Sequence, residues 1–407
     1  MRRLVLALLL TASAAAGVSR QHAVRPPAVS DATPAGWLVN HAYRDLDAIR
    51  ILIGTSTVIG LGDDTHGTHE FFETKVHMIE ELVRDGNFRT VAFEAPFADF
   101  TRLNDYVLGG SGDRHAILLH RELGYWMWAT DEVVALIDWM RDYNEMHGDR
   151  PPIEIAGFDV TDEKGAADVV IAYLESTDPP TAVNASSTYS DCLRIGISTN
   201  CQARLNAVRD DLSAREGDLV AHSSQREFDA AAHAASVAAA SITKPGLPAY
   251  FAWRDQNMAV NLLRLQQRRS SNGRLLVWAH QEHLGKTTNL QEAKPAGKWL
   301  EEQFGSNYFV IGTSAGDGTF NVVDRNVVVG SAQFPPISDD SYESSFRSAS
   351  QPLLIIPLRG ELPDWLAAKH HLRGGSSGSV IDVVEDLKQK LDAIIYIDHT
   401  TRSANFW

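Results

Sequence analysis

Cysteine is nearly absent: Cys192 and Cys201 are the two in 407 residues. So small a number excludes a disulfide-built scaffold and leaves no thiol set for a structural metal. The two lie close together in a polar stretch and are read as a local disulfide, which requires an oxidising compartment. Positive charge is also short, with 37 Lys and Arg against 52 Asp and Glu, a net charge of -15. That balance argues against nucleic acid or an anionic membrane surface as partner, since both select for basic patches. The pair Arg268-Arg269 is too small to form one. After the N-terminus no apolar run is long enough to span a bilayer. Three motifs are missing as well. There is no Gly-x-Ser-x-Gly elbow, which disfavours a serine nucleophile. There is no His-Glu-x-x-His pair for a catalytic zinc, and the Gly/Ser-rich stretch 374–379 lacks the Gly-Lys-Ser/Thr element of a phosphate loop.

What is present starts with a basic Met1-Arg2-Arg3, an apolar Leu4 to Leu10 and a small-residue stretch Thr11 to Gly17. This is the pattern of a secretory signal peptide, placed at 1–19, and it predicts a secreted or periplasmic protein. A loose Pro/Ala/Ser-rich lead-in follows at 20–36. The rest is ordinary globular composition, 44% hydrophobic and 22% charged, long enough to bury a large core. Helix is expected over Trp37 to Asp47 and Phe71 to Arg84, the latter with Val76, Ile79, Leu82 and Val83 on one face. Short apolar strands are expected at 58–61, 90–94, 153–157, 275–279, 308–311, 353–356 and 391–397, with a hairpin strand at 322–329 and a polar loop carrying His370, His371 and Arg373. Single buried strands alternating with helices predict an α/β fold with a largely parallel central sheet flanked by helices. Residues 37–175 and 251–407 form its two core parts. The Ala-rich 176–250 is read as a helical insertion or lid over the strand C-terminal ends.

Four of the strands run into ionisable residues: Asp63, Asp64 and His66 in Gly62-Asp63-Asp64-Thr65-His66-Gly67, then Glu94, Asp159, and His280 with His283. Ligands in parallel α/β proteins bind outside such strand ends. His66, in a glycine-flanked turn, is suited to take a proton from water, because imidazole titrates near neutrality. Glu94 ends an apolar strand, where a carboxylate must face a polar cavity or be paired. Asp63 orients His66, positions water or caps the next helix, and Asp64 competes for the same task. His280 and His283 complete the catalytic candidates. Lys75, His69, Arg254 and Asp159 are assigned to substrate contact or support, with Asp255 beside Arg254. His66, Glu94, His280 and His283 also match zinc ligand types, so a metal-dependent hydrolase stands as an alternative. The metal-free reading assigns no cofactor and no metal residue.

These residues resemble the erythromycin esterase family. The family's opening Gly-Glu-x-x-His-Gly corresponds to Gly62-Asp63-Asp64-Thr65-His66-Gly67, with Asp63 in place of Glu. Its Trp-Ala-His-Asn-x-His corresponds to Trp278-Ala279-His280-Gln281-Glu282-His283, with Gln281 in place of Asn. Its second acid falls on Glu94, its basic helix position on Lys75, and its C-terminal Phe-Asp-Ala pattern resembles Leu391-Asp392-Ala393. The resemblance implies a large α/β body with a helical portion over a deep cleft. It also implies metal-free opening of a macrolide lactone ring by water that His66 activates. The partner so implied is a small-molecule ester or macrolactone, with no nucleic acid and no stable membrane association. Another ester or lactone, or a non-catalytic binding role on the same fold, are the competing expectations.

Overall fold

The computed structural model describes residues 30–119, 126–196, 198–268, 272–290, 292–323, 329–375 and 380–406. The 1–19 segment and most of the lead-in lie outside the described residues.

Ten strands are described: β1 Val58–Asp63, β2 Thr90–Pro96, β3 Glu154–Asp159, β4 Leu275–His280, β5 Tyr308–Val323, β6 Val329–Gln333, β7 Leu353–Pro357, β8 His370–Gly375, β9 Val380–Glu385 and β10 Ala393–Thr400. The central sheet runs β3-β2-β4-β1-β5-β10-β7. It is parallel from β3 through β10 and antiparallel only where β7 meets β10 and β6 meets β5. Both faces are covered, so β1, β2 and β4 are buried at every position, which explains their unbroken apolar reading. Side chains alternate between the faces. Ile59 and Leu61 join the core under the helices His69–Arg84, Phe97–Val107 and Asp131–Met146, whereas Val58 joins the core under Ala249–Arg268 and Ala296–Phe304.

Within 176–250 the chain forms the helices Pro179–Ile195, Thr199–Ala214, Glu216–Ala221 and Gln225–Ser241. They bury their own core with the helix Glu163–Thr177, and Phe97 and Val160, just past β2 and β3, belong to it. Cys192 and Cys201 form a disulfide joining the first two of these helices.

Several expected elements differ. The first helix is Pro34–His41, and Leu46–Ala48 is a separate 3-10 turn. The strand expected to stop at Ile311 continues to Val323, because its far half pairs with β6 beyond the sheet. The stretch expected to be a polar loop at His370 to Arg373 is β8 of a two-stranded arm with β9. β8 is buried from Leu372 to Gly375 rather than alternately, and the charged Arg373 with the glycines Gly374 and Gly375 hides a strand signal that rests on apolar residues.

Candidate active site

Register brings the strand ends level. Asp63 pairs with His280 across β1 and β4, and Phe93 pairs with Trp278 across β2 and β4, so Glu94 lies one residue past that rung. Between Phe93 and Pro96 the pairing of β2 with β3 slips by a bulge. Bulges re-aim side chains beside sites. Here the Glu94 carbonyl accepts from the Trp128 indole at 2.9 Å. The turn after β1 needs Gly67, whose φ is 65° and whose added Cβ would meet Asn321 at 2.6 Å. That tight turn leaves the His66 ring beside the strand ends, 5.1 Å from the His280 ring.

Arg254 is the hub. It donates through Nε and Nη2 to Asp159 Oδ2 at 3.0 and 2.5 Å, through Nη2 to Glu94 Oε1 at 2.7 Å, and through Nη1 to His283 Nε2 at 2.8 Å. Glu94 Oε2 accepts from the His280 backbone N–H at 2.9 Å. Burial opposes charge on Glu94, but His283, Arg254 and His66 outweigh it and hold the carboxyl well below the usual range. His283 donates through Nδ1 to Asp255 Oδ1 at 2.8 Å. Burial works against its charge, while Asp255 and then Glu94 reverse the balance and raise its pKa. His66 has the opposite setting. Burial, aided by the nearby His283 and Arg254 charges and only partly opposed by Glu94, lowers it to about 4. The ring is therefore neutral at ordinary pH and free to take a proton. Solvent access divides the groups: His66, His283 and Arg254 keep 8%, 11% and 12% of their side-chain surface exposed, while Asp63, Asp159 and Asp255 keep none.

Asp63 lies 3.5 Å from His66 Nδ1. Its main partners are Lys75, in direct ion-pair contact, and the Trp278 indole at 3.1 Å. Burial disfavours the Lys75 ammonium and pushes its pKa well below the ordinary lysine value, so the touching Asp63 carboxylate is the group that favours its charged form. Lys75 is thus a buried counter-ion, 1% exposed, behind the site. Asp64 is engaged by other partners. Its carboxyl accepts from Gln281 at 3.0 Å and from the Gly375 N–H at 3.2 Å, and burial with repulsion from Glu343 holds its pKa well above normal. His280 is committed at both nitrogens, Nε2 to the Asp64 carbonyl at 2.9 Å and Nδ1 to the Glu282 N–H at 3.3 Å. Burial lowers it to about 3, so it acts as a neutral brace between two loops. His69 is bonded to Glu132 at 2.5 Å, with Glu73 at 3.9 Å, and is not joined to this cluster. Asp392 is likewise elsewhere, holding Lys286 and Arg359 at 2.5 and 2.7 Å. Among the described residues, no group of three His, Cys, Asp or Glu side chains is arranged to hold a metal ion.

Sequence reasoning did not assign Trp128 or the ring-facing role of Asp255. Asp255 carries a legible signal: it occupies the buried stripe of its helix with Met258, Ala259, Leu262 and Leu265, and a charge on an apolar stripe needs a partner.

A family model for erythromycin esterase matches residues 83–400. The chain belongs to the erythromycin esterase family. The YbfO protein of Bacillus subtilis (strain 168) is 23% identical over 416 residues, covering 90% of this chain and 91% of that one. Erythromycin esterase type II of Escherichia coli is 22% identical over 311 residues, covering 68% and 73%. The solved open conformation of the erythromycin esterase EreC, a single-site mutant, shares the fold with a TM-score of 0.67 at 16% identity, covering 89% of this chain and 96% of that one.

Proposed function

We propose that this family member is a carboxylic-ester hydrolase that opens a macrolide macrolactone outside the cytoplasm, with water as nucleophile and no covalent enzyme intermediate. The observation that carries the reading is a neutral His66, with 8% of its side-chain surface exposed, set against the Glu94–Arg254 pair, with Asp63 behind it. His66 takes a proton from water, the oxygen attacks the carbonyl carbon, and Arg254 supplies positive charge for the oxyanion. The two cysteines are joined to each other in the helical insertion and offer no thiol nucleophile. That disulfide and the N-terminal signal pattern both fit an oxidising compartment. Macrolides enter through the family and the Escherichia coli relative's name; another ester or lactone is the competing substrate class.

The test is incubation of the mature protein with a macrolide panel in labelled water. The expected result is a product heavier by one water, with the label in the new carboxylate, and no product with His66→Ala. Full activity of a folded His66→Ala variant on a confirmed substrate would end the reading.

A further inference from the structure

Resting on that hydrolase reading, we propose that Asp255 and His283 form a second proton-handling pair, in which Asp255 positions the ring and His283 gives its Nε2 proton to the departing alkoxide. Asp255 is wholly buried. Its Oδ1 accepts from His283 Nδ1 at 2.8 Å and from the Ala296 N–H at 3.0 Å, and its Oδ2 accepts from Asn289 at 3.2 Å. The other two donors are neutral, so His283 is the partner able to balance the carboxylate's charge, and an uncompensated buried charge is costly.

The second ring nitrogen has two competing neighbours. Arg254 Nη1 lies at 2.8 Å and Glu94 Oε1 at 3.4 Å. A guanidinium can only donate, so Nε2 is bare while Arg254 holds it. A proton arriving there exchanges Arg254 for Glu94 and releases an Arg254 N–H. Asp255 and Glu94 draw that proton in, while Arg254 opposes it, and His66 and His280 also feel the ring's charge. Two histidines with environments pulling in opposite directions are the usual mark of a base and an acid in one site. His280 neighbours both rings, at 5.1 and 6.5 Å, but its own nitrogens are bound to backbone.

In the proposed cycle His66 removes a proton from water as the new C–O bond forms and the carbonyl electron pair moves to oxygen. On collapse the ester C–O bond breaks, its electron pair stays on the leaving oxygen, and that oxygen takes the His283 proton. His66 then releases its proton to solvent and His283 regains one, for a net conversion of ester and water to acid and alcohol.

Leaving-group dependence separates this role from a structural one. Wild type, Asp255→Asn, His283→Gln and His66→Ala are compared on two esters of one acyl group, one with a nitrophenol and one with a primary alcohol as leaving group. With folding verified by circular dichroism, Asp255→Asn and His283→Gln are expected to lower kcat/KM on the alkyl ester about 100-fold and on the nitrophenyl ester less than about threefold. Asp255→Asn should also shift the basic limb of the pH profile downward, because the imidazolium loses its counter-charge. His66→Ala should depress both esters alike. Equal losses on both esters in the folded variants, or an unmoved basic limb, would overturn the proposal. Wild type inactive on both would instead overturn the hydrolase reading beneath it. Should Asp255→Asn not fold, His283→Gln decides by the same ratio.

Discussion

Arg254 and Glu94 meet at 2.7 Å across 160 residues of sequence. The helix after the helical insertion thereby closes on the end of β2. The same guanidinium also holds Asp159, at the end of the neighbouring strand. Three elements distant in sequence are fixed by one side chain.

Removing that cation leaves two buried carboxylates with reduced compensation. Arg254→Ala is expected to cost about 3–5 kcal/mol in urea unfolding. Arg254→Lys should recover only part of it, because an ammonium cannot reproduce a planar fork to several partners. A loss within about 0.5 kcal/mol, the scale of an ordinary surface substitution, would show that the carboxylates do not depend on Arg254.

His66 must be neutral to act as a base, and its pKa is lowered to about 4. The acid limb of kcat/KM is therefore expected near pH 4 and not near the ordinary histidine value of about 6.5. The same depression has a stability sign. Unfolded His66 and His280 bind protons at a higher pH than the folded rings do. Unfolding takes up protons as pH falls from about 6.5 toward 4, so these two groups make the protein less stable over that interval. Urea titrations of wild type and His280→Asn across it should show a shallower fall in the variant; identical slopes would refute the assignment.

The Asp63–Lys75 pair is buried at both ends, 0% and 1% exposed. Lys75→Met leaves the carboxylate with the Trp278 indole and the His66 ring, which lies at 3.5 Å, and is expected to cost about 3–5 kcal/mol. Adding Asp63→Asn should return a large part of that loss, because the uncompensated charge is gone. A double-mutant cycle reads the coupling directly, and simple additivity would contradict the pairing.

The disulfide closes a short loop, with nine residues of separation. By loop-closure entropy Cys192→Ser/Cys201→Ser should lose about 2–3 kcal/mol. Because it lies in the core of the insertion and not among the strand ends, KM is expected to move more than the acid limb of the pH profile. A shift of that limb would place the disulfide's influence on the His66 environment.

Much of the candidate site was readable because its residues break local rules. Glu94 is a charge on an otherwise apolar strand, and His66 sits in a turn whose glycine carries a left-handed φ. Asp255 broke a rule too, as a carboxylate on an apolar helical stripe, but a stripe does not say which ring it will meet. The roles of His280 and Asp64 were not readable, since both depend on a contact between two loops, the Asp64 carbonyl taking the His280 N–H. His69 looked equivalent to Lys75 along one helix, yet one faces Glu132 and the other Asp63.

Sequence by itself determined the α/β character, the succession of buried strands and the residue types at their ends, because apolar period and turn chemistry are local properties of the chain. Tertiary structure alone decided that β3, β2, β4 and β1 lie side by side. It also decided that Arg254 joins Asp159, Glu94 and His283, and that His280 is tied to the backbone while His66 Nδ1 makes no hydrogen bond among the described residues. Strand order, register and burial are set by packing between distant segments, and burial and neighbouring charge determine which imidazole holds a proton.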